Sequence, residues 1–147
     1  MNIKERLKND MIAAMKNKEK ERLEAIRFIQ AAIKKQEVDT RKDLDDAGVI
    51  AILNNQSKQR RDSIEQFRKG GREELAAKEE AELKILQTYL PEQFSSAELE
   101  ALVTAAIRET GAAGLKDLGS VMKALQPRIL GRADGSSVSA MVRQKLS

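Results

Sequence analysis

The sequence has no cysteine and no histidine among its 147 residues. That removes disulfides, thiol nucleophiles, the usual zinc ligands and imidazole acid–base chemistry together. Tryptophan is absent, and aromatic residues are limited to three Phe and one Tyr, so aliphatic side chains must build any core. With two prolines and eight glycines, long regular elements meet few breakers. Runs of β-branched and aromatic residues with period two are scarce, which argues against strands. No apolar run approaches membrane-spanning length. The charged start Met1-Asn2-Ile3-Lys4-Glu5-Arg6 has no apolar stretch behind it and reads as no secretory signal. The expectation is a cytoplasmic chain with no membrane partner.

Hydrophobic residues make up 41% of the chain and charged residues 34%, mixed in sign, with a net charge of +4. The charge is uneven. Residues 1–72 carry 18 Lys/Arg against 12 Asp/Glu, residues 73–94 carry 2 against 6, and residues 95–147 carry 7 against 5. Mixed charge of this kind is first of all a solvated helical surface, and its basic excess attracts nucleic acid.

Helical spacing runs through the whole chain. Asn2 and Glu5 form a capping box ahead of a stripe of Ile3, Leu7, Met11 and Met15. A second helix from about Lys20 buries Leu23, Ile26, Ile29 or Gln30, and Ile33 and fades near Val38, with residues 39–42 as a loop. Asp43 or Asp45 caps a long third helix whose face is Val49, Leu53, Arg60, Ile64 and Phe67, with Gln56 and Ser57 between. Gly70-Gly71 ends or sharply bends it. A fourth helix, about Arg72 to Leu90, buries Leu75, Leu83, Leu86 and Tyr89, and Pro91 closes it. The third and fourth form an antiparallel hairpin. Ser95-Ser96-Ala97-Glu98 starts a helix that Gly111-Ala112-Ala113-Gly114 breaks. Asp117 then caps a short helix stopped by Pro127, and Ser136 or Ser137 opens the last one. The expected fold is all-α: an N-terminal helical domain over residues 1–92 containing the long hairpin, and a three-helix tail domain over 93–147.

Several motifs imitate chemical sites. Gly114 to Ser120 resembles the start of a phosphate loop, but that loop needs Lys after its second glycine and a strand before it. The alternative is an interhelical turn, with Gly119 allowing close helix approach. The G-x-x-G of residues 111–114 lacks the sheet of a KH domain and reads as a helix stop. Asp43-Asp45-Asp46 looks like a helix start. Glu73, Glu74, Glu79, Glu80 and Glu82 look like a solvated face or a counter-charge to basic helices. Ser95-Ser96 and Ser136-Ser137 sit where caps belong and lack an activating base. No catalytic residue, cofactor or metal is assigned.

Two basic groups remain as nucleic-acid-binding candidates. The third helix carries Lys58, Arg60, Arg61, Arg68 and Lys69, with Arg72 just past it; of these Arg61, Arg68, Lys69 and Arg72 are the binding candidates, and Lys123, Arg128, Arg132 and Arg143 around the short turns of the tail are the others. Guanidinium groups near helix ends suit phosphate oxygens. With few aromatics to stack bases, contact would follow shape and backbone.

Residues 23–27 (LEAIR), 59–64 (QRRDSI), 67–72 (FRKGGR), 85–91 (ILQTYLP) and 131–135 (GRADG) together resemble the YqeY-like proteins, also called the GatB/YqeY domain family, over essentially the whole chain. That family is related to the helical and tail region of the B subunit of tRNA-dependent amidotransferase. The resemblance implies an all-helical fold with a three-helix tail whose job is to hold tRNA. It also carries a label of carbon–nitrogen ligase with glutamine as amido-N-donor, although in the full enzyme the reactive sites lie elsewhere. Of the family's Gly-Lys-Val-Met, this chain keeps Gly119, Val121 and Met122 but has Ser120 in place of Lys. The implied partners are tRNA and amidotransferase or aminoacyl-tRNA-related proteins. Two other roles remain open: an accessory component of such a ligase, and a protein–protein adaptor with a groove between hairpin and tail.

Overall fold

The Asn2 side chain accepts the Glu5 N–H at 2.8 Å and starts helix α1 (Ile3–Lys16). The computed structural model describes residues 1–147. After α1 come α2 (Lys20–Thr40), α3 (Asp46–Lys69) and α4 (Glu73–Gln87). Then follow α5 (Ser96–Thr110), a single 3-10 turn (Leu115–Asp117), α6 (Leu118–Ile129) and α7 (Gly135–Leu146). The fold is all-α. Two compact units divide the chain, Met1–Leu90 and Pro91–Ser147. No helix is long and apolar enough to cross a membrane.

In the first unit α3 and α4 form an antiparallel hairpin, with α2 packed on both helices and α1 on α2. Gly71 makes the hairpin turn possible. Its φ of +73° lets the Arg72 N–H reach back to the Phe67 carbonyl at 2.7 Å, a left-handed closure that a Cβ disfavours. Leu7, Ile26, Ile29, Val49, Leu53, Leu86 and Tyr89 are the buried centre, each contributing about 1.5–3 kcal/mol on leaving water. Asp45 caps α3 by accepting the Gly48 N–H at 2.9 Å. Its neighbour Asp46 instead accepts the Ile3 N–H, also at 2.9 Å, and ties the start of α1 to α3. The Glu37 carboxylate accepts from Lys4 Nζ and from the Leu44 N–H. These bonds, that from Lys4 first, hold it below the usual carboxylate range.

Tyr89 sits beyond the end of α4, buried, with its hydroxyl donating to Asp10 Oδ2. The Arg6 guanidinium lies 5.1 Å from its ring centroid. Burial, and then the bond to Asp10, push the phenol up to about 12. As the chain's one tyrosine, with no tryptophan beside it, it reports alone. The phenolate absorbance band is expected to rise near pH 12 in the folded protein, against about 10 in the unfolded chain. Because the folded value is the higher one, this contribution to stability is complete below about pH 10 and disappears as pH climbs through 12. Phenolate forming near pH 10 in folded protein would refute the buried, Asp10-bonded placement of the phenol.

Several local expectations shift. Met15 is exposed and Ala14 is buried in its place, because a strict four-residue stripe drifts about 40° per step and is about 120° off by its fourth member. Helix α2 continues to Thr40 and stops at Arg41, whose φ of 56° is left-handed, so the expected loop at 39–42 begins two residues late and Val38 is exposed. Leu75, in the first turn of α4, is exposed while Ala76 is buried, and α4 ends at Gln87, short of Leu90.

In the second unit Leu99, Val103, Val121, Leu125, Ile129, Val138, Val142 and Leu146 close a three-helix core. Ser95 and Glu98 form a complete capping box at 3.1 Å in both directions. Pro127 lies inside α6 and does not stop it. One intrahelical bond is forfeited, but the helix continues two residues further, to the buried Ile129. Asp117 makes no cap hydrogen bond; its carboxylate turns back to accept the Ala113 N–H at 2.9 Å. A Cβ on Gly119 would meet nothing within 4 Å, so no close helix approach occurs there. Helix α7 starts at Gly135, ahead of both candidate serines, and Ser137 Oγ donates to Asp134 Oδ2 at 3.1 Å.

Candidate functional site

The structure sorts the eight candidate cations by what already holds them. On the first unit, Arg68 is engaged by Glu73 at 3.6 Å and by Glu80, and Lys69 by Glu65 at 2.9 Å. Arg61 is also engaged within the fold. Arg72, at the start of α4, is exposed and has no ion pair.

On the second unit, Arg128 reaches Glu109 at 3.2 Å. Arg132 is half-buried. Its Nε donates to the Glu92 carbonyl at 2.8 Å, its guanidinium lies 3.8 Å from the Phe94 ring centroid, and its carbonyl accepts the Phe94 N–H at 2.9 Å. Gln93 adds a donor bond to the Gly131 carbonyl. Arg132 therefore clasps residues 92–94 to the turn before α7. Lys123 on α6 and Arg143 on α7 are exposed and have no ion pair. Lys123 and Arg128 do not form one patch: five residues apart, they point about 140° away from each other around the helix. Arg108 at the end of α5 and Lys116 in the 3-10 turn, which the sequence reading passed over, are also exposed without ion pairs.

A second feature corrects the expected basic group of the third helix, because Arg60 is not on its solvent face. Arg60 falls on the buried face of α3 and is 9% exposed, with Gln56 at 6% and Ser57 at 1% below it. Its Nη1 donates to Glu79 Oε2 at 3.0 Å and to Glu82 Oε2, both on α4. The guanidinium lies 5.2 Å from the ring centroid of Phe28 on α2, a residue that is 56% exposed. All of these but Ser57 line a cleft of about 360 Å³ together with Glu24, Gln59 and Ser63. Gln56 Oε1, Ser57 Oγ and Arg60 Nε are buried and have no hydrogen-bond partner. The acidic face of α4 thus serves as counter-charge to α3, at Arg60 and Arg68. The missed signal was the cation itself: an Arg on a buried stripe requires carboxylates opposite, and α4 supplies two, three residues apart.

Neither feature contains a nucleophile paired with a base. What each can do is hold a charged group.

The profile of a family described as "Yqey-like protein" matches residues 4–146. The relatives include proteins called "Altered inheritance of mitochondria protein 41, mitochondrial" from several fungi. That of Pyrenophora tritici-repentis is 34% identical over 142 residues, covering 95% of this chain and 78% of its own. That of Lachancea thermotolerans is 37% identical over 106 residues, covering 70% of this chain and 57% of its own. That of Vanderwaltozyma polyspora is 40% identical over 85 residues, covering 57% and 46%. The matched stretch is thus about half the length of the last two relatives.

Proposed function

Because this chain belongs to the YqeY-like protein family, we propose that it is a non-catalytic tRNA-associated module that grips phosphates through its second unit. The carrying observation is that Arg108, Lys116, Lys123 and Arg143 are solvent-facing and have no carboxylate partner within their own unit. Cations already neutralised by glutamate gain little from a phosphate, whereas unpaired ones release counterions on contact. The family's kinship with the tail of tRNA-dependent amidotransferase makes tRNA the natural polyanion. A cytoplasmic location is part of the same proposal.

Fluorescence anisotropy with labelled tRNA over a salt series tests it. Four phosphate contacts give a slope of log K on log salt of roughly −3 to −4. Lys123→Ala/Arg143→Ala is expected to flatten that slope by about 1.5–2. Arg128→Ala, which loses only the Glu109 pair, is expected to change it little. No binding at low salt, or an unchanged slope in the double variant, would overturn the proposal. Arg132 is left intact because its loss would loosen the clasp.

One observation favours a second reading, the protein adaptor. Between α1 and α2 lies a groove of about 810 Å³ with Leu7, Met11, Ile33 and Leu44 along it and Lys8 and Lys34 at its edge. Partners recovered from nuclease-treated lysate, and lost in Met11→Glu, would favour it over tRNA.

A further inference from the structure

The geometry points to the cleft between α2, α3 and α4 as a binding site for a small organic cation, one bearing a guanidinium or primary ammonium group on an alkyl chain. Four observations converge on it. The cleft is concave, and at about 360 Å³ it is at the small end of ligand sites, the size of one arginine-like molecule. Its lining is over-supplied with negative charge: Glu24, Glu79 and Glu82 against Arg60 alone.

Glu79 and Glu82 each spend one oxygen, Oε2, on the same Arg60 Nη1, and Glu24 is exposed with no ion pair. Acceptors therefore remain for further N–H donors. Third, Phe28 stands at the cleft 56% exposed, with Arg60 5.2 Å from its ring centroid and much of the side chain still open to solvent. A ring face beside carboxylates attracts a flat or alkylated cation. Fourth, Gln56 lines the floor at 6% exposure with its Oε1 unpartnered. A buried amide oxygen without a donor is costly, and an incoming N–H supplies one. An anion is disfavoured by the carboxylates. A bare hard cation between Glu79 and Glu82 would compete with Arg60 Nη1, which is already there.

The test uses the full chain and two-dimensional amide NMR, titrating agmatine against matched sodium chloride. Saturable shifts confined to residues around Phe28, Gln56 and Glu79 are expected. Phe28→Ala and Glu24→Gln each change an exposed side chain, so the fold is retained, and the unliganded spectra check that. Each variant should weaken binding by about two- to five-fold, and the pair by about ten-fold. A blocked arginine peptide run in parallel identifies the source. Equal affinity assigns the cleft to an arginine side chain, and binding of agmatine alone assigns it to a free cation; both uphold the proposal. No saturable shift at millimolar agmatine, or undiminished affinity in the folded double variant, overturns it. The tRNA proposal concerns other residues and is untouched by either result.

Discussion

Arg60→Ala is expected to destabilise the first unit by about 3 kcal/mol, read as a lower urea midpoint at unchanged slope. The charge removed is the one that neutralises Glu79 and Glu82, whose side chains are largely withdrawn from water. Breaking one partner out of a buried ionic cluster typically costs about 3–5 kcal/mol, because the remaining charges stay buried without compensation. The lower end applies here, since both carboxylates retain some solvent contact. The cause is testable apart from the size. In Arg60→Met/Glu79→Gln/Glu82→Met no charge is stranded, and well-packed neutral replacements of such clusters are often as stable as the original. The triple variant should therefore recover most of the loss. Equal instability of the single and triple variants would place the effect in packing around Phe28 rather than in electrostatics.

Leu125→Ala is expected to unfold the second unit. Leu125 is fully buried among Leu99, Val103, Val121 and Val142, and truncating such a leucine costs about 2–5 kcal/mol. The unit spans only residues 91–147, and domains of that size rarely hold more than about 3–5 kcal/mol of stability. The substitution takes most of it. Amides of α5, α6 and α7 should pass from protected to freely exchanging. Leu130→Ala, at an exposed site on the same unit, is the control and should shift protection by less than about 0.5 kcal/mol. Retained protection in Leu125→Ala would show a reserve of stability that this core does not account for.

The helices were legible because period and punctuation agree. Asn2, Asp45 and Ser95 are side chains that satisfy orphan N–H groups, and each one caps. Gly71 and Gly111 stand at φ of +73° and +67°, where a helix closes and a side chain is unwelcome. Legibility failed where tertiary packing overrode a local rule. Pro127 signals a stop, yet the pull of Ile129 into the core outweighs the lost hydrogen bond. Asp117 has the chemistry of a cap but finds Ala113 N–H nearer. The cations show the same limit. The i,i+4 spacing does announce Glu65 as the partner of Lys69, but nothing local to Arg68 or Arg128 announces that Glu80 and Glu109 hold them, whereas Lys123 and Arg143 remain unpaired. Arg60 falls on its expected stripe and not on the expected basic face, and its meaning lies nineteen and twenty-two residues downstream, on α4.

The Arg132 clasp bears on how the tail is to be excised for study. A fragment begun at Ser95 would retain all three helices but forfeit the Glu92 carbonyl and the Phe94 ring, leaving a guanidinium with neither acceptor nor platform. Begun at Pro91, it keeps both. The four residues ahead of the capping box are therefore a structural selvedge of the tail rather than a disposable tether.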